Sequence, residues 1–154
     1  MSQTSKFINY FMAHRSVTIE LISKIGEEHI EYKPTETSMP ARALVTHMLS
    51  SFQKFVAVVK RGDASPMREK LEVDETDLNA VAELYTSETR NLLESLTVEE
   101  LDRVIDLTAI FGMKISGRGL LQVAMDHEIH HKGSLFVYVR EMGHTKLPGF
   151  VRKG

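Results

Sequence analysis

The sequence predicts an all-α protein, a four-helix bundle of up-down type with one longer connection, and three observations carry that expectation. Four stretches space their apolar residues three and four apart, as one face of an α-helix requires. The 4 prolines, at positions 34, 40, 66 and 148, fall between those stretches rather than inside them. A length of 154 residues, 42% hydrophobic and 26% charged, suits one domain with an ordinary core, so 1–154 is read as a single unit.

The first helix is expected over about Thr4 to Ile25, with Phe7, Phe11, His14, Thr18, Leu21, Ile22 and Ile25 on one stripe and Gly26 as its stop. Residues 31–38 read as a loop, and Ser38 before Pro40 resembles a helix start. The second helix, Pro40 to Lys60, carries Leu44, His47, Met48, Ser51, Phe52, Phe55 and Val59 toward one side. Residues 62–76 mix Gly, Ser, Pro and charges and read as a solvated connection.

A third helix spans Asp77 to Leu96, with Leu78, Val81, Tyr85, Leu92 and Leu96 at helical spacing. Thr97-Val98-Glu99-Glu100 fits a capping box that opens one short turn. Residues 106–116 lack helical periodicity and contain Gly112, which points to an extended excursion or a hairpin. Ser116 can cap the last helix, Gly117 to Met142, and Gly143 can end it. That helix is apolar on two sides: Leu120, Leu121, Ala124, Leu135, Tyr138 and Met142 on one, Met125, Ile129 and Phe136 nearly opposite. Such a helix is either central or covered by a second chain, and the second strip motivates the expectation of a homodimer. Gly133 inside this helix is read as a point of close helix packing.

Composition narrows the function classes. The formal net charge is −2, with 19 Lys and Arg against 21 Asp and Glu, which argues against a nucleic-acid partner. No apolar run approaches a membrane span or a signal peptide, so the expected location is the cytoplasm, away from any membrane. The chain has no cysteine. A thiolate nucleophile and a cysteine zinc site are therefore excluded, and any metal must rest on histidine and carboxylate.

Four of the 7 histidines repay attention. His127 and His131 are four apart on the last helix, so their rings project from one face a turn apart and can reach one ion. They share the face of the apolar stripe formed by Leu120, Leu121, Ala124, Leu135 and Tyr138, where two unpaired imidazoles would be costly to desolvate. His47 borders the apolar face of the second helix and His14 sits within that of the first. A single core-facing histidine is in general a hydrogen-bonded structural residue, whereas several helices pointing imidazoles inward suggest a shared site. His130 is turned away from the pair, and His29 and His144 fall at helix ends. Asp126 and Glu128 flank the first histidine of the pair and read as solvated helix acids.

The stretch Asp126-His127-Glu128-Ile129-His130-His131-Lys132-Gly133-Ser134-Leu135 resembles the C-terminal motif of the DinB-like (YfiT-like) metalloenzymes. Ala41-Arg42-Ala43-Leu44-Val45-Thr46-His47-Met48 is similar to that family's second-helix segment, and Val139-Arg140-Glu141-Met142-Gly143-His144 to its helix exit. The resemblance covers nearly the whole chain. It implies a four-helix bundle, often homodimeric, with a divalent metal, zinc or nickel, on three histidines that by position are His47, His127 and His131. It also implies small-molecule chemistry, with a low-molecular-weight thiol as cosubstrate of an S-transferase or isomerase.

Three imidazoles would leave such an ion an open position for water or substrate. A thiol transferase, a hydrolase on the same site, and a bundle with a structural metal or none all remain consistent with these residues. His14 is the candidate for a group behind the ligands or on the substrate side, and Ser51 and Tyr138 are candidates for orienting ligands or substrate.

Overall fold

A computed structural model describes residues 2–152. Among these, four long helices dominate: α1 (Gln3–Ile22), α2 (Ala41–Arg61), α3 (Leu78–Glu94) and α6 (Gly117–Glu141). Short elements bridge the last two, namely α4 (Val98–Asp102), β1 (Val104–Asp106), α5 (Thr108–Phe111) and β2 (Lys114–Ser116). No helix among the described residues is long and apolar enough to cross a membrane.

The helix ends follow local chemistry. Asp77 and Ser116 accept hydrogen bonds from the backbone N–H groups of Ala80 and Gly119, which removes orphan donors at the starts of α3 and α6. Thr97 and Glu100 form the expected reciprocal capping box at α4. Gly143 follows the end of α6 at φ 101°, a conformation that other residues rarely tolerate. Ser38 does not start α2; Pro40 takes that position, and the Ser38 hydroxyl pairs with Thr35 instead. Of the two forms expected for residues 106–116 the hairpin is present, though it opens at Val104 and holds the helical turn α5 between its strands: β1 and β2 pair antiparallel with Ile105 opposite Ile115. Ile105 is fully buried and anchors this excursion to the core.

Two apolar clusters reveal the helix directions. One gathers residues 17–25, 41–49, 78–85 and 135–139; the other gathers Ile8, Phe11, residues 52–59, Leu93 and residues 120–125. α1 and α6 therefore run one way and α2 and α3 the other. α2 packs on α3 and α6, and α1 packs on those same two helices, so α1 and α2 face each other across the core. Phe11 meets Phe52 there at 4.6 Å between ring centroids.

A plain up-and-down order is thus not what the chain adopts. Because α2 and α3 are parallel, residues 62–77 must return past the 21-residue α2, about 31 Å long. Extended, they reach about 50 Å, enough for the crossing. This connection is more than a solvated linker: Pro66 is buried and Leu71 and Val73 pack on the core.

Two expectations for α6 are corrected. Met125 is fully buried, Phe136 is 9% exposed, and Ile129 packs partly buried against the second cluster, so this strip faces the chain's own interior. α6 is apolar on two sides because α2 covers one and α1 the other. Gly133 is exposed, and a Cβ added there would meet nothing within 4 Å, so it marks no close packing. Close approach occurs instead at Gly117, where a Cβ would lie 2.5 Å from the Glu100 carbonyl oxygen.

Candidate metal centre

His47, His127 and His131 come together where α2 packs on α6. One ligand atom from each lies within 4.8 Å of the others. The Nε2 atoms of His47 and His131 stand 3.0 and 3.1 Å from Nε2 of His127. Tetrahedral zinc with bonds of about 2.0–2.1 Å would hold its nitrogen ligands about 3.3 Å apart, so the two separations to His127 need only small adjustment, while the third, within 4.8 Å, closes further on binding. All three rings are half-buried, at the border between the α2–α6 contact and solvent.

Burial pushes all three imidazoles below the usual histidine value of 6.5. The charge of Lys54 adds to this at His47, and His47 adds to it at His127. His131 feels both other rings and falls to about 4. The three are therefore neutral near pH 7, the state in which imidazole binds metal.

Hydrogen bonding alone cannot satisfy the cluster. Nε2 of a neutral histidine carries either one proton or one lone pair, yet that of His127 has two nitrogen neighbours. A cation among the three nitrogens would engage every lone pair, so the donor set fits a divalent metal. Binding through Nε2 puts the remaining ring proton on Nδ1, and at His47 the Ser51 hydroxyl stands 3.4 Å from Nδ1, placed to accept it. His130, one residue before His131, is exposed and lies outside the cluster.

The other candidates fall elsewhere. His14 is buried on the α1 side, its Nδ1 accepting a hydrogen bond from the Lys132 ammonium at 2.6 Å. The Tyr138 hydroxyl donates to the Met39 carbonyl at 2.6 Å and ties the loop before α2 to α6. Asp126 is exposed and bonds Gln122. Glu128 is not a solvated acid: it is 1% exposed and paired with Arg15, whose guanidinium donates two 2.9 Å bonds to its carboxylate. Thr18 donates to the same carboxylate at 2.8 Å, and Arg15 reaches Thr86 at 3.1 Å. Arg15 went unread in the sequence, although its spacing of four after Phe11 and three before Thr18 sets it inside the apolar stripe.

A cleft of about 440 Å³ opens beside the cluster, between the loop before α2 and the outer side of α6, and His131 forms part of its wall.

Comparison with known proteins agrees with this fold. The family model described as the DinB family matches residues 1–150. An uncharacterized protein of Bacillus subtilis (strain 168), YjoA, is 56% identical over 153 residues, covering 99% of both chains. The crystal structure of the DinB-like protein YjoA from Bacillus subtilis superposes with a TM-score of 0.90 at 55% identity, over 96% of this chain and 99% of that one. A DinB-like protein from Bacillus cereus, 15% identical, shares the fold with a TM-score of 0.73 over 93% of this chain and 94% of its own. With its whole length matched in both sequence and fold, this chain belongs to the DinB family.

Proposed function

We propose that the protein is a metal-dependent enzyme on a four-helix bundle, in which His47, His127 and His131 hold one divalent ion, zinc or nickel, and a small thiol is transferred to an electrophilic carbon. The observation that carries this reading is the convergence of three neutral imidazole nitrogens at a half-buried site with a cleft alongside. A bound ion would supply Lewis acidity, favouring the ionised form of a thiol at a free coordination position. In the transfer the thiol gives up its proton to solvent, and its sulfur bonds the electrophilic carbon as that carbon's leaving group departs.

The chain's own residues set the conditions. The histidines stay neutral, and Ser51 orients His47. With no cysteine in the sequence, the sulfur comes with the cosubstrate. Thiol transfer is favoured over hydrolysis by the state of the nearby carboxylate. Glu128 is the acid whose charge reaches His127 and His131, and its oxygens are engaged by Arg15 and Thr18. It is thus not free to act as a general base on water.

Metal analysis of untagged protein should return one equivalent, and none from His127→Ala or His131→Ala with helix content retained. Retention of tightly bound metal by either variant defeats the site. In cobalt-substituted protein, 2-mercaptoethanol should add a strong sulfur charge-transfer band. A spectrum indifferent to thiol but altered by azide would move the reading to a hydrolase.

A further inference from the structure

The cleft beside His131 differs in character from its surroundings. No Lys, Arg, Asp or Glu lines it. Met39, Leu44 and Val137 give it apolar surface, and Val137 is 47% exposed. Ser134, Thr37 and Tyr138 add hydroxyl groups. Tyr138 is committed to the Met39 carbonyl, while the hydroxyls of Ser134 and Thr37 have no partner within the described residues. Ser134 follows His131 by three residues on α6, so its hydroxyl stands one turn beyond a ring of the metal cluster.

Lys54, a cation on the same helix as His47, lies in the other direction. Leu44 of the cleft precedes His47, whereas Lys54, whose charge reaches His47, is two turns past it, about 10 Å further along α2. With the ion's free position taken by the thiol, a carboxylate elsewhere in the cleft would lose hydration with no charged side chain to replace it. An uncharged group would instead find free hydroxyls for hydrogen bonds and an apolar wall for its body.

We propose that this cleft binds the electrophilic substrate, and that the substrate's recognised part is uncharged, with an apolar body and a hydroxyl or carbonyl directed at Ser134 and Thr37. The inference rests on the thiol-transfer reading for the name of the reaction, but its test does not require metal or turnover. Specificity comes from both sides: an anion meets no charged side chain, and an analogue without a polar group leaves the hydroxyls unpaired.

The test uses three probes of one shape, phenethyl alcohol, phenylacetate and phenethylamine, titrated against metal-free and zinc-loaded protein by amide NMR. The alcohol should give saturable shifts at Thr37, Ser134 and Val137 in both forms, and in the metal-free form, where no ion can ligate the carboxylate, the two charged probes should bind at least about tenfold more weakly. Ser134→Phe fills the cleft and should abolish the alcohol's shifts while metal content and melting temperature stay at parent values. Phenylacetate or phenethylamine binding the metal-free protein as well as the alcohol overturns the inference. So does the absence of saturable shifts at these residues, or their survival in Ser134→Phe. Saturable alcohol binding in a protein that takes up no metal would uphold the cleft and defeat the metal-centre reading, so the two failures are distinct.

Discussion

α6 carries two pairs of polar residues at the same spacing, one residue out of step, and the structure treats them in opposite ways. His127 and His131 face α2 and remain neutral, half-buried and mutually unsatisfied. Glu128 and Lys132 face α1, are each 1% exposed, and find partners in Arg15 and His14. A step of about 100° along the helix separates a site open to a ligand from an interior that is closed. Burial acts on both pairs, and the difference lies in the neighbours. Burial works to raise the Glu128 carboxyl, but Arg15, Thr18 and Lys132 outweigh it and hold the group below its usual value. The histidines have chiefly one another, so burial and mutual repulsion act together. Low dielectric with a counter-charge makes a structural lock; low dielectric among like neighbours makes a ligand set.

The largest effect expected on stability comes from breaking the lock on one side. Glu128→Ala leaves the Arg15 guanidinium buried without its carboxylate, which costs about 3–5 kcal/mol. For a chain of this size that lowers the melting temperature by roughly 10 °C. The double variant Arg15→Met, Glu128→Leu should recover most of the loss, because two apolar groups need no partners. Calorimetry showing the double variant as unstable as the single one would mean that the pair does more than satisfy its own charges.

An intermediate effect separates the two faces by pH in metal-free protein. Folded histidines with lowered pKa refuse protons that the unfolded chain accepts, so stability falls as pH drops below 6.5, down to about 4, where His131 itself titrates. Glu128 contributes stability that is present above 4.5 and is lost as pH falls through its lower folded value. Urea unfolding of His127→Gln, His131→Gln should therefore show a flatter slope between pH 6.5 and 4.5. Glu128→Gln should keep that slope and lose the further decline below pH 4.5. An unchanged slope in the histidine variant would show that the rings are already protonated in the fold.

The smallest effect concerns the outward side of α6, which belongs to neither face. Gly133→Ala should stabilise the protein by about 0.5–1 kcal/mol, since helix propensity improves and the added methyl meets nothing. Thermal melting checks it, with metal content as the companion measurement. A fall in stability would indicate that something outside this chain, such as a second copy, covers Gly133.

The sequence by itself determined the local features of this protein. The side chains of Thr97 and Ser116 cap helices where their positions predicted, because a cap is a bond between residues three apart. The hairpin, one of the two forms predicted for residues 106–116, is present although it opens at Val104, and His127 and His131 share a face because four residues make about one turn. Their likeness to the DinB pattern, with His47 upstream, was legible for the same reason: it is a matter of order and spacing.

Tertiary structure alone decided the rest. The parallel course of α2 and α3 depends on which apolar faces meet, and the spacing within either helix carries no sign of direction. Glu128 looked like a surface acid because its counter-ion lies 113 residues away. His14 found its partner in Lys132, 118 residues on, and Met125 and Phe136 found theirs in the chain's own core rather than a second copy. A charge or an apolar strip is costly only relative to its surroundings, and those surroundings exist only once distant segments have packed.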